Sequence, residues 1–413
     1  MEGPETMKNF DVVVVGGGTA GICTAARIRR LESRLSVGVI EPSGNHFYQP
    51  AFTFVASGLM APKLCARPMN DVIPKGCTWI RDTVGLIDAG QNQIHLSGGE
   101  KVGYKALVVA PGLSVDFESV SGLPEALNDR RHPICSIYDS NNLQKFSELM
   151  AQFIGGTIVF SLPAGPLKCP SASLKILILA DDILRNSGTR EVARLVFITP
   201  YSSLFGVQGF VQTMNQVFHK RGIDVLFEHE VTKVDLRNQV VHLNAVSESA
   251  AQRNIKSIKY DLAHITPRMR APQFISASEL HHQEGHFQNW LDVDPLTLQH
   301  RKYINIFGAG DVAGLPTIKT ATGARVQAEI VAENICFLFK KGTQLPLPRK
   351  YNGYTCCPLI TGIGQVIHPE VGYEGKLLSS LPFNPFVPRK SLWYYNTNIL
   401  PKLYWNFMVK GLL

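Results

Sequence analysis

The 413-residue chain has no run of 18 or more apolar residues, no C-x-x-C pair and no acidic residue after Glu374. Each absence removes a class of explanation. The longest apolar stretches, such as Val12 to Val15 and Ala106 to Ala110, have strand length, so no transmembrane helix is expected. The eight cysteines (Cys23, Cys65, Cys77, Cys135, Cys169, Cys336, Cys356 and Cys357) are too few and too irregular for a disulfide scaffold, and no zinc-ligand spacing occurs. No metal site is expected. The opening Met1-Glu2-Gly3-Pro4-Glu5-Thr6 carries two acids and reaches the first strand by Phe10, leaving no transit peptide or signal region in view. Basic residues outnumber acidic ones 41 to 33, for a net charge of +8, yet adjacent cations come only in scattered pairs such as Arg29-Arg30 and Lys220-Arg221. That pattern reads as solvated surface and gives nucleic acid little support.

What is present begins with a dinucleotide fingerprint. The β-branched run Asp11 to Val15 leads into Gly16-Gly17-Gly18-Thr19-Ala20-Gly21 and then the helical stretch Ile22 to Leu31. Gly16, Gly18 and Gly21 have separate tasks: turning the chain, admitting a pyrophosphate, and letting the helix pack on its strand. A second strand, Ser36 to Ile40, ends at Glu41, where a carboxylate accepts from ribose hydroxyls and disfavours a 2′-phosphate. Gly310-Asp311, after the strand pattern Tyr303 to Phe307, resembles the place where two-dinucleotide flavoproteins hold the ribityl chain, a resemblance that favours FAD over NAD.

A second α/β pattern starts near Gly156, with strands expected at Thr157 to Leu162, Ala193 to Thr199 and Asp224 to Phe227. Its first turn, Leu162-Pro163-Ala164-Gly165-Pro166-Leu167-Lys168-Cys169, lacks the glycines a nicotinamide domain uses and carries a cysteine instead. The expected fold is therefore α/β, with two Rossmann-like three-layer domains: 1–150 and 286–345 for the cofactor, 151–285 for the second domain. Residues 346–413 form a C-terminal region. There Arg389, Lys390, Lys402 and Lys410 alternate with Trp393, Tyr394, Tyr395, Tyr404, Trp405 and Phe407, a mixture that suits a lipid headgroup layer. Core or dimer packing is the competing reading of those rings.

Two cysteines precede prolines, Cys169 in Lys168-Cys169-Pro170 and Cys357 in Cys356-Cys357-Pro358. Beside a flavin they point to thiol redox chemistry, with Lys168 favouring a thiolate. Cysteines elsewhere read as small buried hydrophobes. His46 and His264 read as structural hydrogen-bonders.

The chain resembles the sulfide:quinone oxidoreductases, in particular their mitochondrial-type branch. The resemblance runs nearly end to end, through the fingerprint, Glu41-Pro42-Ser43, His46 to Pro50, Lys168-Cys169, Phe205-Gly206-Val207, His264 to Pro267, Trp290 to Asp294, Leu298 to His300, Lys319-Thr320-Ala321, Tyr351 to Gly362 and Leu403 to Asn406. It implies a peripheral flavoprotein of the mitochondrial inner membrane that oxidises hydrogen sulfide. Hydrosulfide attacks a disulfide of Cys169 and Cys357 and leaves a persulfide. A small acceptor such as glutathione, sulfite or cyanide takes the outer sulfur, and the electrons pass through FAD to ubiquinone. The resemblance also implies FAD contacts from Thr19, Ala20, Glu41, Gln49, Val84, Asp311, Lys319, Thr320, Ala321 and Thr322, and it leaves a homodimer open. Lys319 is expected to stabilise a negative flavin.

Two positions depart from the family pattern. Pro170 removes a donor immediately after the first cysteine and predicts an altered presentation of Cys169. Gly323 predicts a helix weaker by about 1 kcal/mol and looser FAD binding. Two alternatives stand beside the main reading: a type II NADH:quinone dehydrogenase, and a flavin-binding relative that has lost turnover.

Overall fold

The computed structural model describes residues 7–204, 206–252 and 254–413. Met1 to Thr6 and Phe205, which entered the sequence reading, lie outside the described residues. Two parallel sheets organise the rest. The first runs Cys77–Ile80, Val37–Ile40, Lys8–Val15, Lys101–Val109, all parallel. The far edge of the long strand Lys101–Val109 is shared: Gln93–Leu96 pairs antiparallel with its start, and Ile306–Gly308 pairs parallel with its end. Val12 to Val15 are buried on both faces, as the strands of a sheet covered by helices must be. The helices Thr19–Leu31 and Ala321–Lys341 pack on each other over this sheet.

The second sheet runs Ile134–Cys135, Leu262–His264, Gly156–Ser161, Ala193–Thr199, Ile223–Phe227, again parallel throughout. Helices Ser171–Ser187 and Gln208–Arg221 supply its crossovers. An antiparallel pair, Ser114–Asp116 with Arg268–Arg270, links the lobes. The second lobe thus takes in Ile134–Cys135 and Leu123–Asn128, residues on the N-terminal side of the 150/151 boundary set from the sequence. A two-residue strand and a short helix carry too little periodicity to be assigned locally; pairing with Ala263 and His264 places them.

The C-terminal region is not a separate tail. Its hairpin Leu359–Gly362 and Gln365–Ile367 packs on Ser171–Ser187 in the second core, while Tyr404, Trp405 and Val409 are buried in the first. Trp405 lies under the Arg67 guanidinium, 4.5 Å from its ring centre, and Trp393 meets Phe54 edge to face. These rings are core, so the lipid-facing reading fails for them. The solvent side keeps Tyr394 at 58% exposure, Phe407 at 44%, Ile399 and Leu412, beside exposed Lys390, Lys402 and Lys410. Among the described residues no helix is long and apolar enough to cross a membrane.

Candidate active site

One large cavity runs from the fingerprint turn to the paired cysteines. Gly16 holds a φ of +102°, and a Cβ there would come within 2.2 Å of the Ala110 carbonyl oxygen. A Cβ on Gly21 would come within 1.9 Å of the Gly16 oxygen, so this glycine is needed for the helix to meet its strand. Neither residue lines the cavity. Gly18 does, and a Cβ there would meet nothing within 4 Å. That open floor, beside the first turn of Thr19–Leu31, suits a pyrophosphate.

Thr19, Ala20, Glu41, Gln49, Asp311, Thr320, Ala321 and Thr322 also line the cavity. The Glu41 carboxylate is aimed by two backbone donors, Gly17 N–H at 2.7 Å and Ser43 N–H at 2.8 Å. Thr320 caps the helix Ala321–Lys341 by accepting from Gly323 N–H at 3.0 Å, so a second helix N-terminus faces the same cavity. Two positive helix ends, an open turn and an oriented carboxylate fit a flavin dinucleotide.

Two of the expected contacts lie elsewhere. Val84 is buried in the first core, on a strand paired with Leu96, and does not reach the cavity. Lys319 points its ammonium into a smaller adjoining space, where it donates to the Ala313 carbonyl at 2.7 Å and covers Trp290, 4.1 Å from the ring centre. Burial lowers its pKa to about 8. Its carbonyl bears on the site instead, accepting from Cys169 N–H at 2.8 Å.

The structure brings Cys169 and Cys357 together from 188 residues apart, Sγ to Sγ 2.9 Å. That is about 0.9 Å longer than an S–S bond of about 2.0 Å. The helix Ser171–Ser187 starts immediately after Cys169-Pro170. Ser171 and Lys175, four residues apart on one face, reach the sulfurs: Ser171 Oγ lies 2.6 Å from Cys357 Sγ and 3.6 Å from Cys169 Sγ, and Lys175 Nζ donates to Cys169 Sγ at 3.4 Å. Cys169 is held well below the ordinary thiol pKa, first by its hydrogen bond with Cys357, against the opposing effect of burial, and then by the Lys175 charge. Cys357 is pushed up by the same hydrogen bond and by burial. Burial would deprotonate Lys175, but the two cysteine sulfurs outweigh it and keep it an ammonium. The pair is therefore asymmetric, a thiolate at Cys169 facing a thiol at Cys357.

Cys356 ends the strand Thr355–Cys356, and Cys357 follows immediately beyond it. Burial and then Glu370 push its pKa well up, leaving a protonated thiol. It lines the cavity and, among the described residues, makes no hydrogen bond to another sulfur.

The sequence departures have local explanations. Pro170 is the N-cap residue at φ −52°, where a missing N–H has no intrahelical acceptor to lose. Cys169, just before it, is held at φ +44°, a conformation costing about 1–3 kcal/mol in a non-glycine residue. Its N–H to Lys319 and its carbonyl, which accepts from Ala172 N–H at 2.8 Å and from Tyr138 OH at 3.3 Å, hold that shape. Gly323 falls in the first turn of its helix, where an interior penalty does not apply, and a Cβ would approach the Tyr354 carbonyl at 3.4 Å. That is ordinary van der Waals contact, so the position accepts glycine without requiring it.

Ser171, Lys175 and Tyr138 were missed in the sequence. The first two follow Cys169 at helical spacing, a readable signal; Tyr138 arrives from another segment and left none. His46 and His264 are structural. His46 bridges the Gly17 carbonyl and Tyr404 OH, and His264 Nε2 accepts from Ile137 N–H; burial lowers them to about 4 and about 3.

A clamp fixes the Cys357 segment at its far end. Asp182 accepts from Arg221 at 2.6 Å and from Ile363 N–H at 2.5 Å, and Arg221 donates to the Thr361 carbonyl at 2.9 Å. Loss of these bonds, each worth about 1 kcal/mol, should loosen the hairpin that follows Cys357. Asp182→Ala is expected to slow disulfide formation between Cys169 and Cys357 by up to about tenfold, measured by timed alkylation after oxidation of the reduced protein.

The family model for pyridine nucleotide-disulphide oxidoreductases matches residues 10–156. The mitochondrial sulfide:quinone oxidoreductase of Mus musculus is 34% identical over 98% of this chain and 88% of its own length. Among solved structures, a chain in the Tetrahymena thermophila mitochondrial ATP synthase has a TM-score of 0.81 at 21% identity, covering 100% of this chain and 98% of that one. The sulfide:quinone oxidoreductase of Aquifex aeolicus has a TM-score of 0.79 at 21% identity, covering 98% and 92%. The two structures share the fold, and the identity with the mouse protein over nearly the whole length carries the assignment: the chain belongs to the sulfide:quinone oxidoreductase family.

Proposed function

We propose that this protein oxidises hydrogen sulfide at the Cys169–Cys357 pair and delivers the electrons to ubiquinone at the mitochondrial inner membrane. The observation that carries the reading is the asymmetric thiol pair, 2.9 Å apart and served by Lys175, at one end of a cavity that fits a flavin dinucleotide. FAD is the cofactor, held by the fingerprint turn, Glu41, Asp311 and Thr320 to Thr322; when bound it supplies a two-electron acceptor. The chain's own residues do the sulfur chemistry. Hydrosulfide attacks Cys357 Sγ of the disulfide, the S–S bond breaks, and its electron pair leaves on Cys169, the better leaving group because its thiolate is the stabilised one. The outer sulfur stays on Cys357 as a persulfide for glutathione or sulfite to remove.

The apolar part of the cavity, Phe52, Phe54, Ile360, Val366 and Leu400, suits a quinone ring. His368 lines it with a buried Nδ1 that has no hydrogen-bond partner among the described residues, a group able to meet a quinone oxygen. The exposed Tyr394, Ile399 and Phe407 with their neighbouring lysines give the protein a face for the membrane surface.

The NADH dehydrogenase alternative meets an obstacle at the second sheet. After Gly156–Ser161 the N–H of Ala164 is taken by Glu230 at 3.2 Å, and Arg268 grips that carboxylate at 2.9 and 2.6 Å. A buried carboxylate stands where a nicotinamide dinucleotide would need its phosphates. The turnover-impaired alternative loses its support with the placing of Pro170 and Gly323. Anaerobic addition of sulfide to the flavin-loaded protein is expected to bleach the flavin, and NADH is not. Bleaching by NADH but not by sulfide would overturn the proposal.

A further inference from the structure

The sulfur chemistry proposed above needs two leaving groups, and the structure provides a separate donor for each. When hydrosulfide opens the disulfide, Cys169 departs as a thiolate beside the Lys175 ammonium, 3.4 Å away. When an acceptor then attacks the outer sulfur, Cys357 must depart. Among the described residues no cation donates a hydrogen bond to Cys357 Sγ; besides Cys169 Sγ, the group in contact with it is Ser171 Oγ, at 2.6 Å, on a residue with no solvent exposure. Ser171 begins the helix Ser171–Ser187, so its backbone is fixed by the same turn that fixes Cys169, and its hydroxyl has the two sulfurs as its partners. Helical spacing sets the difference: the residue two beyond Cys169 lies closest to Cys357 Sγ, and the residue four further on donates to Cys169 Sγ.

Resting on the sulfide-oxidising reading, we propose that Ser171 is the hydrogen-bond donor to Cys357 in sulfur release. In that step the nucleophilic sulfur of sulfite or a thiolate forms a bond to the outer sulfur of the Cys357 persulfide. The bond between that outer sulfur and Cys357 Sγ breaks, and its electron pair stays on Cys357 Sγ. The persulfide proton leaves with the product or to solvent. No oxidant or reductant is consumed. The new thiolate lies in a buried setting beside a second thiolate, which disfavours its charge, and a hydroxyl donor already in place offsets this without moving. Ser171 thereby acts on the second half of the sulfur relay, where Lys175 acts on the first.

The test separates the two halves. Flavin-loaded parent, Ser171→Ala and Ser171→Thr proteins receive one equivalent of sulfide anaerobically, and the appearance of persulfide on the Cys357 peptide, read by timed alkylation and mass spectrometry, gives the rate of opening. Sulfite is then added, and alkylation at timed intervals followed by mass spectrometry of the Cys357 peptide gives the rate of persulfide loss. Flavin content and melting temperature show that each variant is folded. Ser171→Ala is expected to lose persulfide about tenfold more slowly than the parent, with a clearly smaller change in the rate of opening, and Ser171→Thr, which keeps the hydroxyl, to stay close to the parent. Persulfide loss at the parent rate in Ser171→Ala, or equal slowing of both steps, would overturn the proposal. A parent that forms no persulfide on either cysteine would overturn the sulfide-oxidising reading, and this assignment with it.

Discussion

Cys357→Ser and Cys169→Ser should each lower sulfide-driven flavin reduction to below about one part in a thousand of the parent rate, while Cys356→Ser stays within about threefold. The contrast between neighbours is the informative part. Cys356 and Cys357 are adjacent, both buried and both raised in pKa, so neither burial nor acidity distinguishes them. Distance does: Cys357 Sγ lies 2.9 Å from Cys169 Sγ, a contact that Cys356 does not make. Anaerobic stopped-flow bleaching of the flavin, with flavin content matched between variants, measures the rates. A Cys356→Ser protein as inactive as Cys357→Ser would mean that the relay uses a different pair from the one in contact.

Lys175→Met should move the alkylation midpoint of Cys169 in the reduced protein upward by at least one pH unit. This corresponds to about a tenfold loss of thiolate at a pH below both midpoints. The sign follows from the balance at that sulfur. The hydrogen bond from Cys357 and the Lys175 charge both favour the thiolate, and burial opposes it. Removing the ammonium leaves burial opposed by the hydrogen bond and the Ser171 hydroxyl alone. In the parent, iodoacetamide reactivity should therefore persist on the acid side of neutrality and fade only as pH falls through a low midpoint; in the variant it should fade nearer neutrality. Opening of the disulfide by sulfide should slow as well, because Cys169 becomes a poorer leaving group. An unchanged alkylation profile would show that the Cys357 hydrogen bond alone holds the thiolate.

Much of the cofactor side was legible in the chain because its signals are local. A β-branched run, a glycine turn and a helix lie within Lys8 to Leu31, and the turn needs its glycines for backbone reasons alone. The strands Ala193–Thr199 and Ile223–Phe227 and the helix Gln208–Arg221 were readable in the same way. The redox pair was legible through its flanking residues and the family resemblance, since 188 residues separate the partners. Lys319 shows the limit. Its place in the chain was read well, but its side chain turned to the Ala313 carbonyl and Trp290, leaving its backbone oxygen at the site. The aromatic tail shows another: alternating rings and cations look alike whether the rings meet lipid or core, and Tyr404 and Trp405 chose the core.

By itself the sequence determined that this protein has a dinucleotide turn, a second α/β lobe without nicotinamide glycines, and two cysteines placed before prolines. Each rests on a backbone preference or a short motif that acts over one or two turns of chain. Only the tertiary structure decided which thiol is the thiolate, which of two adjacent cysteines meets Cys169, and that Glu230 takes the Ala164 N–H in the second lobe's first turn. Those outcomes depend on charges and hydrogen bonds falling off within a few ångströms, between residues whose separation along the chain says nothing about their separation in space.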